Sequence, residues 1–296
     1  MEKKYAYSEI FSSFQGEGYH TGEPTMWLRF FTCNLNCDGF GQKDPTDPLT
    51  YKLPYKDVDL SNIKDINKLP VFEYGCDSSY SWSSRYKHLQ HKKTISEICE
   101  EILSKLPNKT FNDNFHMCFT GGEPLLKHGQ EASVEIMKYF YSIGEKIPSV
   151  TFETNGTQKL TEEFKDFWGD TKTLCTELFM SISPKLYTVS GEKREKAIKP
   201  EIVAEYSDLS DAGQLKFVVS GTEESWNEVE ELICLFRKAG VKYPVWIMPL
   251  GATVEGQEGK ISGHISAAQI ADESLKRGYR VAVRAHTYVY GNVIGK

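Results

Sequence analysis

The chain has 296 residues, 40% hydrophobic and 26% charged, enough to bury an ample core in one large or two small domains. A formal net charge of −6 gives no electrostatic sign of direct nucleic-acid binding. No apolar run nears the roughly 20 residues of a membrane span, and "MEKKYAYSEIF" lacks the apolar stretch of a signal peptide. A cytoplasmic protein without membrane contact is expected, its seven cysteines kept as thiols for metal binding, catalysis or core packing.

In chain order, "TMWLRFFTC" (Thr25 to Cys33) predicts a buried strand. "TISEICEEILSKL" (Thr94 to Leu106) predicts a helix: Thr94 and Glu97 form a capping box, and Ile95, Ile98, Cys99, Ile102 and Leu106 share one face. "FHMCFTGGEP" is a strand breaking into a glycine turn, followed by a helix around Ala132 to Ile143. "SVTFETNGT" and "LFMSISPK" are strands with polar ends. "QLKFVVSG" is another; Ser225 with Glu228 is expected to cap a helix ending at Gly240. "YPVWIMPLG" is a strand, a helix runs from about Ala267 to Arg277, and "YRVAVRAH" is the last strand. Alternating strands and helices argue for a parallel α/β domain, and polar motifs after successive strands suit a barrel or part-barrel that gathers strand ends at one face.

Asp38 to Gly75 breaks the pattern, with no clear period. A loop this long is disordered or functional, and it runs from Cys37 to Cys76. Cys99, Cys118, Cys175 and Cys234 sit in or near predicted helices and strands and read as core. Cys33, Cys37 and Cys76 sit at strand ends or loops beside small or polar residues. Three thiolates can hold three irons of a [4Fe–4S] cluster and leave the fourth open to S-adenosylmethionine. Joined by His88 or His91, they could instead hold zinc. From the cysteines alone both readings stay open.

"TGGEP" (Thr120 to Pro124) lets backbone approach a ligand closely, with Glu123 as an acceptor for an ammonium group. "ETNG" offers Glu153 and Asn155 for ribose hydroxyls or an amino-acid moiety; "SISPK" offers Ser183 and Lys185 for a carboxylate or ribose. In this order after three cysteines, these motifs resemble the radical S-adenosylmethionine superfamily. More narrowly, "EIFSSFQGEGYHTGEP", "RFFTCNLNC", "CDSSYSW", "TGGEP", "ETNGT", "SPK", "LKFVV" and "AHTYVYG" resemble the 7-carboxy-7-deazaguanine synthase family over nearly the whole chain. QGEG is the most specific element.

The resemblance implies a partial (βα)6-type TIM barrel over residues 1–296, with 38–75 as an insertion. It implies a lyase of 7-deazapurine biosynthesis that turns 6-carboxy-5,6,7,8-tetrahydropterin into 7-carboxy-7-deazaguanine, losing ammonia. The cofactors would be a [4Fe–4S] cluster on Cys33, Cys37 and Cys76, S-adenosylmethionine, and Mg²⁺ on Ser78, where the family has threonine. Phe14, Gln15, Gly16, Glu17, Thr120 and His286 would contact the pterin, and Arg29 would grip its carboxylate. Gly75, Cys76, Asp77, Gly122, Ser183, Pro184 and Lys185 match adenosylmethionine contacts. So do Ile247 to Leu250, with Met248 in place of the usual glutamine beside Pro249. A homodimer and an electron donor such as flavodoxin are implied. Two departures stand out: the long insertion, and a tail beyond His286 that speaks against substrate binding by the Lys296 carboxylate. Competing readings are an activase placing a glycyl radical on a partner protein and a zinc-stapled binding module. The insertion is expected to be ordered and to bring Cys76 back beside Cys37.

Overall fold

The computed structural model describes residues 2–112, 114–169, 176–261 and 264–296. Cys175 lies outside them. Nine strands form one sheet in the order β3-β1-β2-β4-β5-β6-β7-β8-β9. They are β1 (Tyr5–Phe14), β2 (Pro24–Phe30), β3 (His91–Lys93), β4 (His116–Gly121), β5 (Ser149–Thr154), β6 (Glu177–Ile182), β7 (Gly213–Val219), β8 (Val245–Pro249) and β9 (Arg280–Val281). From β2 through β4 to β9 every pairing is parallel; β1 runs antiparallel to β2 and β3. The sheet stays open between β3 and β9, a partial barrel as expected.

Helices return the chain between parallel strands: α1 (Ile95–Lys105), α2 (Lys127–Ser142), α3 (Glu162–Gly169), α4 (Pro200–Leu209), α5 (Glu223–Lys238) and α6 (Ala267–Lys276), before a short α7 (Ala285–Tyr290). α1 has the expected capping box and buries Ile98, Cys99 and Ile102. Phe30, Phe119, Phe152, Met180, Phe217 and Ile247 from successive strands are fully buried, as near-continuous apolar strands covered by helices should be.

Several local expectations are corrected. α2 begins at Lys127, not near Ala132, close behind the GGEP turn. Thr222 caps α5, its side chain accepting from the Ser225 N–H. Glu228 instead accepts from the backbone N–H groups of Tyr187 and Thr188. Cys234 on α5 is exposed rather than core, while Cys99 and Cys118 are buried. The last strand shrinks to Arg280–Val281, and the chain beyond it turns toward the strand ends. Tyr5–Phe14 had no predicted strand; its hydrogen bonding to β2 and β3 makes it one.

The β1–β2 loop closes the barrel from below. Tyr19 stacks on Phe179 of β6 at 5.5 Å, and its N–H donates to Gln214 of β7. The Asp38–Gly75 segment has its own apolar cluster, Tyr55, Ile66, Leu69 and Phe72 packing with Tyr80, Tyr86 and Leu89, joined by Ile294 of the tail. The Gly75 N–H donates to the Phe40 carbonyl at 2.7 Å, tying the segment's two ends together. Near the segment's second end, Phe72 is buried in this cluster, whereas Val71 and Tyr74 are half-buried.

Candidate active site

A cavity of about 270 Å³ opens at the carboxyl ends of the parallel strands. Phe14, Gln15, Gly16 and Glu17 line its floor; Arg29, Thr120, Gly122, Glu153, Asn155, Ser183, Lys185, Met248 and Pro249 line its wall at the strand ends. Cys33, Cys37, Gly75, Cys76, Asp77 and Ser78 border it from the loops, and His286 from the C-terminal segment. Residues as far apart in sequence as Glu9 and Lys296 thus meet where a parallel sheet exposes its strand ends. Of the expected contacts, Glu123, Pro184 and Ile247 are not among the lining residues, and Ile247 is buried in the core.

The three cysteines reach the cavity by different routes. Cys33 and Cys37 lie on the loop after β2, where Thr32 and Cys37 both have positive φ (100° and 55°). The Leu35 N–H donates to Cys33 Sγ at 3.4 Å, and the N–H groups of Asn36 and Cys37 donate to Glu192. Burial pushes the Cys33 thiol up to about 12 and Cys76 up to about 11, and Cys37 well above its usual value. The nearby Lys185 charge acts against burial at all three. A bound cation would complete the stabilisation of thiolates there. Among the described residues, no three His, Cys, Asp or Glu side chains form a group able to hold one metal ion. His88 and His91 are exposed and away from the cavity. A [4Fe–4S] cluster takes one thiolate per iron, so its ligands surround it rather than converge on a point. Three thiols bordering one cavity are the donors such a cluster would take.

The GGEP turn is locked to its neighbours on two sides. A Cβ on Gly122 would run into the Thr32 carbonyl and Cys33 Cβ, so glycine here lets the cysteine loop lie against β4. Glu123 is fully buried and accepts from the N–H groups of Leu125 and Asn155 and from the Thr154 hydroxyl. It fastens the turn to the end of β5. Asn155 in turn donates to Asn34 at 3.0 Å, beside Cys33.

Strand register places Arg29. It sits directly across from Glu9 in the β1–β2 ladder, after an irregularity between Tyr7 and Glu9. Arg29 Nε donates to Glu9 Oε1 at 2.7 Å, and the Tyr80 hydroxyl donates to the same oxygen at 2.8 Å. The guanidinium is thus anchored through Nε, while Nη1 has one long contact to Ser78 Oγ at 3.4 Å.

The floor carries a buried charge network. Lys216 Nζ lies 2.5 Å from Glu17 and 3.7 Å from Glu153. Arg284 reaches Glu17 at 3.1 Å and Asp77 at 2.7 Å. Burial raises the Glu17 carboxyl, but Lys216, Arg284 and His286 outweigh it and hold it below the usual range. Burial likewise raises Asp77, and Arg284 reverses the shift. Gln15 donates to Glu153 at 3.2 Å and accepts from the Glu17 N–H. Gly16 is needed because a Cβ would collide with the His286 ring.

Glu9, Lys216 and Arg284 escaped sequence reasoning. A signal existed: Lys216 interrupts the apolar run of "LKFVV" and Arg284 that of "VAVRAH", and a charge in a buried strand needs a partner. Asn292 to Lys296 also border the cavity, Lys296 included, although the length of the tail counts against substrate binding by the Lys296 carboxylate.

No family model matches the chain. Curated relatives do. A 7-carboxy-7-deazaguanine synthase from Methanospirillum hungatei is 25% identical over 246 residues, covering 83% of this chain and 73% of the relative. One from Leptospira interrogans is 23% identical over 298 residues, covering 99% and 98%. The crystal structure of QueE from Escherichia coli matches 96% of this chain and 95% of its own with a TM-score of 0.53 at 17% identity, a likeness of fold. In sequence the chain is thus similar over most of its length to curated 7-carboxy-7-deazaguanine synthases, and it shares the fold of the solved Escherichia coli structure.

Proposed function

We propose that the protein is a radical S-adenosylmethionine lyase that converts 6-carboxy-5,6,7,8-tetrahydropterin to 7-carboxy-7-deazaguanine with loss of ammonia. The observation that carries this reading is one cavity bordered at once by Cys33, Cys37 and Cys76, by the QGEG floor and by Arg29. An activase acting on a partner protein would need the thiols but neither of the other two.

Cys33, Cys37 and Cys76 would hold the [4Fe–4S] cluster. Gly75, Asp77, Gly122, Glu153, Asn155, Ser183, Lys185, Met248 and Pro249 would face adenosylmethionine, with Glu123 and Pro184 supporting from behind. When bound, cluster and adenosylmethionine together supply the hydrogen-abstracting radical. The chain's own work is recognition. Arg29, fixed through Nε, offers its remaining N–H groups to the pterin carboxylate. Glu17, held ionised, can accept the N–H groups of an amino-pyrimidinone edge, with Phe14, Gln15, Gly16, Thr120 and His286 around the ring. Ser78 supplies an oxygen of the kind Mg²⁺ prefers.

We read residues 1–296 as one domain with 38–75 inserted in it, working in the cytoplasm as a homodimer with an electron donor such as flavodoxin. Among the described residues no helix is long and apolar enough to cross a membrane. The test is anaerobic reconstitution with iron and sulfide, then incubation with adenosylmethionine, reductant and the carboxypterin. Formation of the deazaguanine and ammonia is expected. Adenosylmethionine cleavage without pterin turnover would overturn the substrate assignment, and a colourless zinc protein would overturn the cluster.

A further inference from the structure

The residues that follow β9 close like a clasp on the QGEG floor. The Ala285 N–H donates to the Gly16 carbonyl at 2.8 Å. The His286 ring fills the space that a side chain on Gly16 would need. Arg284, 8% exposed, does more than hold the floor. Its Nε donates to Glu17 Oε1 at 3.1 Å, its Nη2 to Asp77 Oδ2 at 2.7 Å and its Nη1 to the Gly251 carbonyl at 2.8 Å. The planar fork therefore joins three separate segments: the floor, the residue after Cys76 and the loop after β8. Lys216 and His286 also face Glu17, but no ion pair or hydrogen bond joins either to Asp77.

We propose that Arg284 is a positioning residue that couples the two halves of the cavity, so that the placement of Glu17 on the substrate floor and of Asp77 beside the third thiolate is set by one side chain. This rests on the reading above only in naming which ligand occupies each half. A guanidinium shared by two partly buried carboxylates transmits displacement of one to the other, because neither can move without leaving one N–H group of the fork unpaired or turning the guanidinium. A ligand seated against Asp77 would thereby favour the floor geometry that a ligand against Glu17 requires.

The test is a double-mutant cycle on the reconstituted protein, read as the dissociation constant of adenosylmethionine from the change in the reduced cluster's EPR signal. No pterin is present. In the Arg284 background, Glu17→Gln is expected to weaken adenosylmethionine binding by roughly fivefold to thirtyfold, although Glu17 lies on the other half. In an Arg284→Gln background the same change should have almost no further effect. Additive losses, or an unchanged constant in Glu17→Gln alone, would overturn the coupling. Arg284→Lys, which keeps the charge but not the fork, serves if Arg284→Gln does not fold. It should bind both ligands yet show at least half of the coupling lost; full coupling in the lysine variant would refute a role for the fork. Carboxypterin titrated afterwards separates the two claims. If the wild-type protein shows the adenosylmethionine coupling but ignores the pterin, the substrate reading fails and the positioning role stands.

Discussion

Arg29 shows how much one cross-strand neighbour can decide. Glu9 occupies its Nε, so the charge is held in place with only one long contact, from Nη1 to Ser78, on the outer N–H groups. Arg29→Lys would keep a cation opposite Glu9 but lose the bidentate edge. Loss of a charge-assisted pair costs about 1.5–3 kcal/mol, so kcat/KM for the carboxypterin should fall roughly tenfold to hundredfold with cluster content normal. Unchanged kinetics would remove Arg29 from the substrate's carboxylate. The cysteines give a second contrast at this scale. Cys76 borders the cavity, whereas Cys99 is buried in the apolar face of α1. Cys76→Ala should abolish reductive cleavage of adenosylmethionine, and Cys99→Ala should retain it. Iron and sulfide content with a cleavage assay checks both; cluster loss in a folded Cys99→Ala protein would break the ligand assignment.

At the scale of elements, the Asp38–Gly75 segment answers how a third thiolate so far along the chain can join the first two. Its ends are tied at Phe40 and Gly75, and Gln42 bonds the Lys52 backbone from both ends of its amide. Tyr55, Ile66, Leu69 and Phe72 bury themselves against Tyr80 and Tyr86, just past Cys76. Closing a long loop costs only slightly more than closing a short one, and the apolar cluster supplies burial that offsets the larger entropy cost of ordering the segment. Limited proteolysis of the anaerobic holoprotein should therefore be slow at Lys52 and Lys64, and faster once the cluster is removed. Rapid cutting with the cluster retained would mean a mobile middle. The sequence announced that such a segment existed, since its period failed, but not its packing. The apolar residues of the cluster are scattered among prolines and charges and pair with partners outside the segment. For the same reason α1 was legible to the residue, its capping box and apolar face being local, while the strand at Tyr5–Phe14 was not. The thiols and polar loop residues were legible because they cluster in short motifs. Glu9, Lys216 and Arg284 were not, because each earns its role only from a partner brought up by the fold: Glu9 from strand register, the other two from the closing of the floor.

For the whole molecule, the barrel's two ends place the same demand on pH through groups of opposite kind, each end losing stability as pH falls. The cavity end keeps Glu17 and Asp77 ionised through buried cations. The opposite end, where β2 and β4 begin, buries a histidine. His116 is 2% exposed, its Nε2 lies 3.0 Å from Thr25 Oγ1 and its Nδ1 3.2 Å from Glu23, with the His20 ring 5.4 Å away. Burial and then the His20 charge lower it to about 4, while Glu23 pulls the other way. A histidine free in the unfolded chain takes its proton near pH 6.5. Between about pH 6.5 and 4 the unfolded state therefore binds more protons at this position, and stability must fall as pH falls through that window. Above it both states are neutral here and the contribution is constant; below it both are charged and no further loss accrues. The loss has an upper limit of roughly 3 kcal/mol, at 1.36 kcal/mol per pH unit of displacement. Replacing His116 by Gln keeps a polar group near Thr25 and removes the titration. Chemical denaturation of wild type and His116→Gln at pH 7.5, 6, 5 and 4.5 should show the stability difference between the two proteins shrinking, or changing sign in the variant's favour, as pH falls. A difference that stays constant across the series would mean that His116 takes up its proton as readily in the fold as in the unfolded chain.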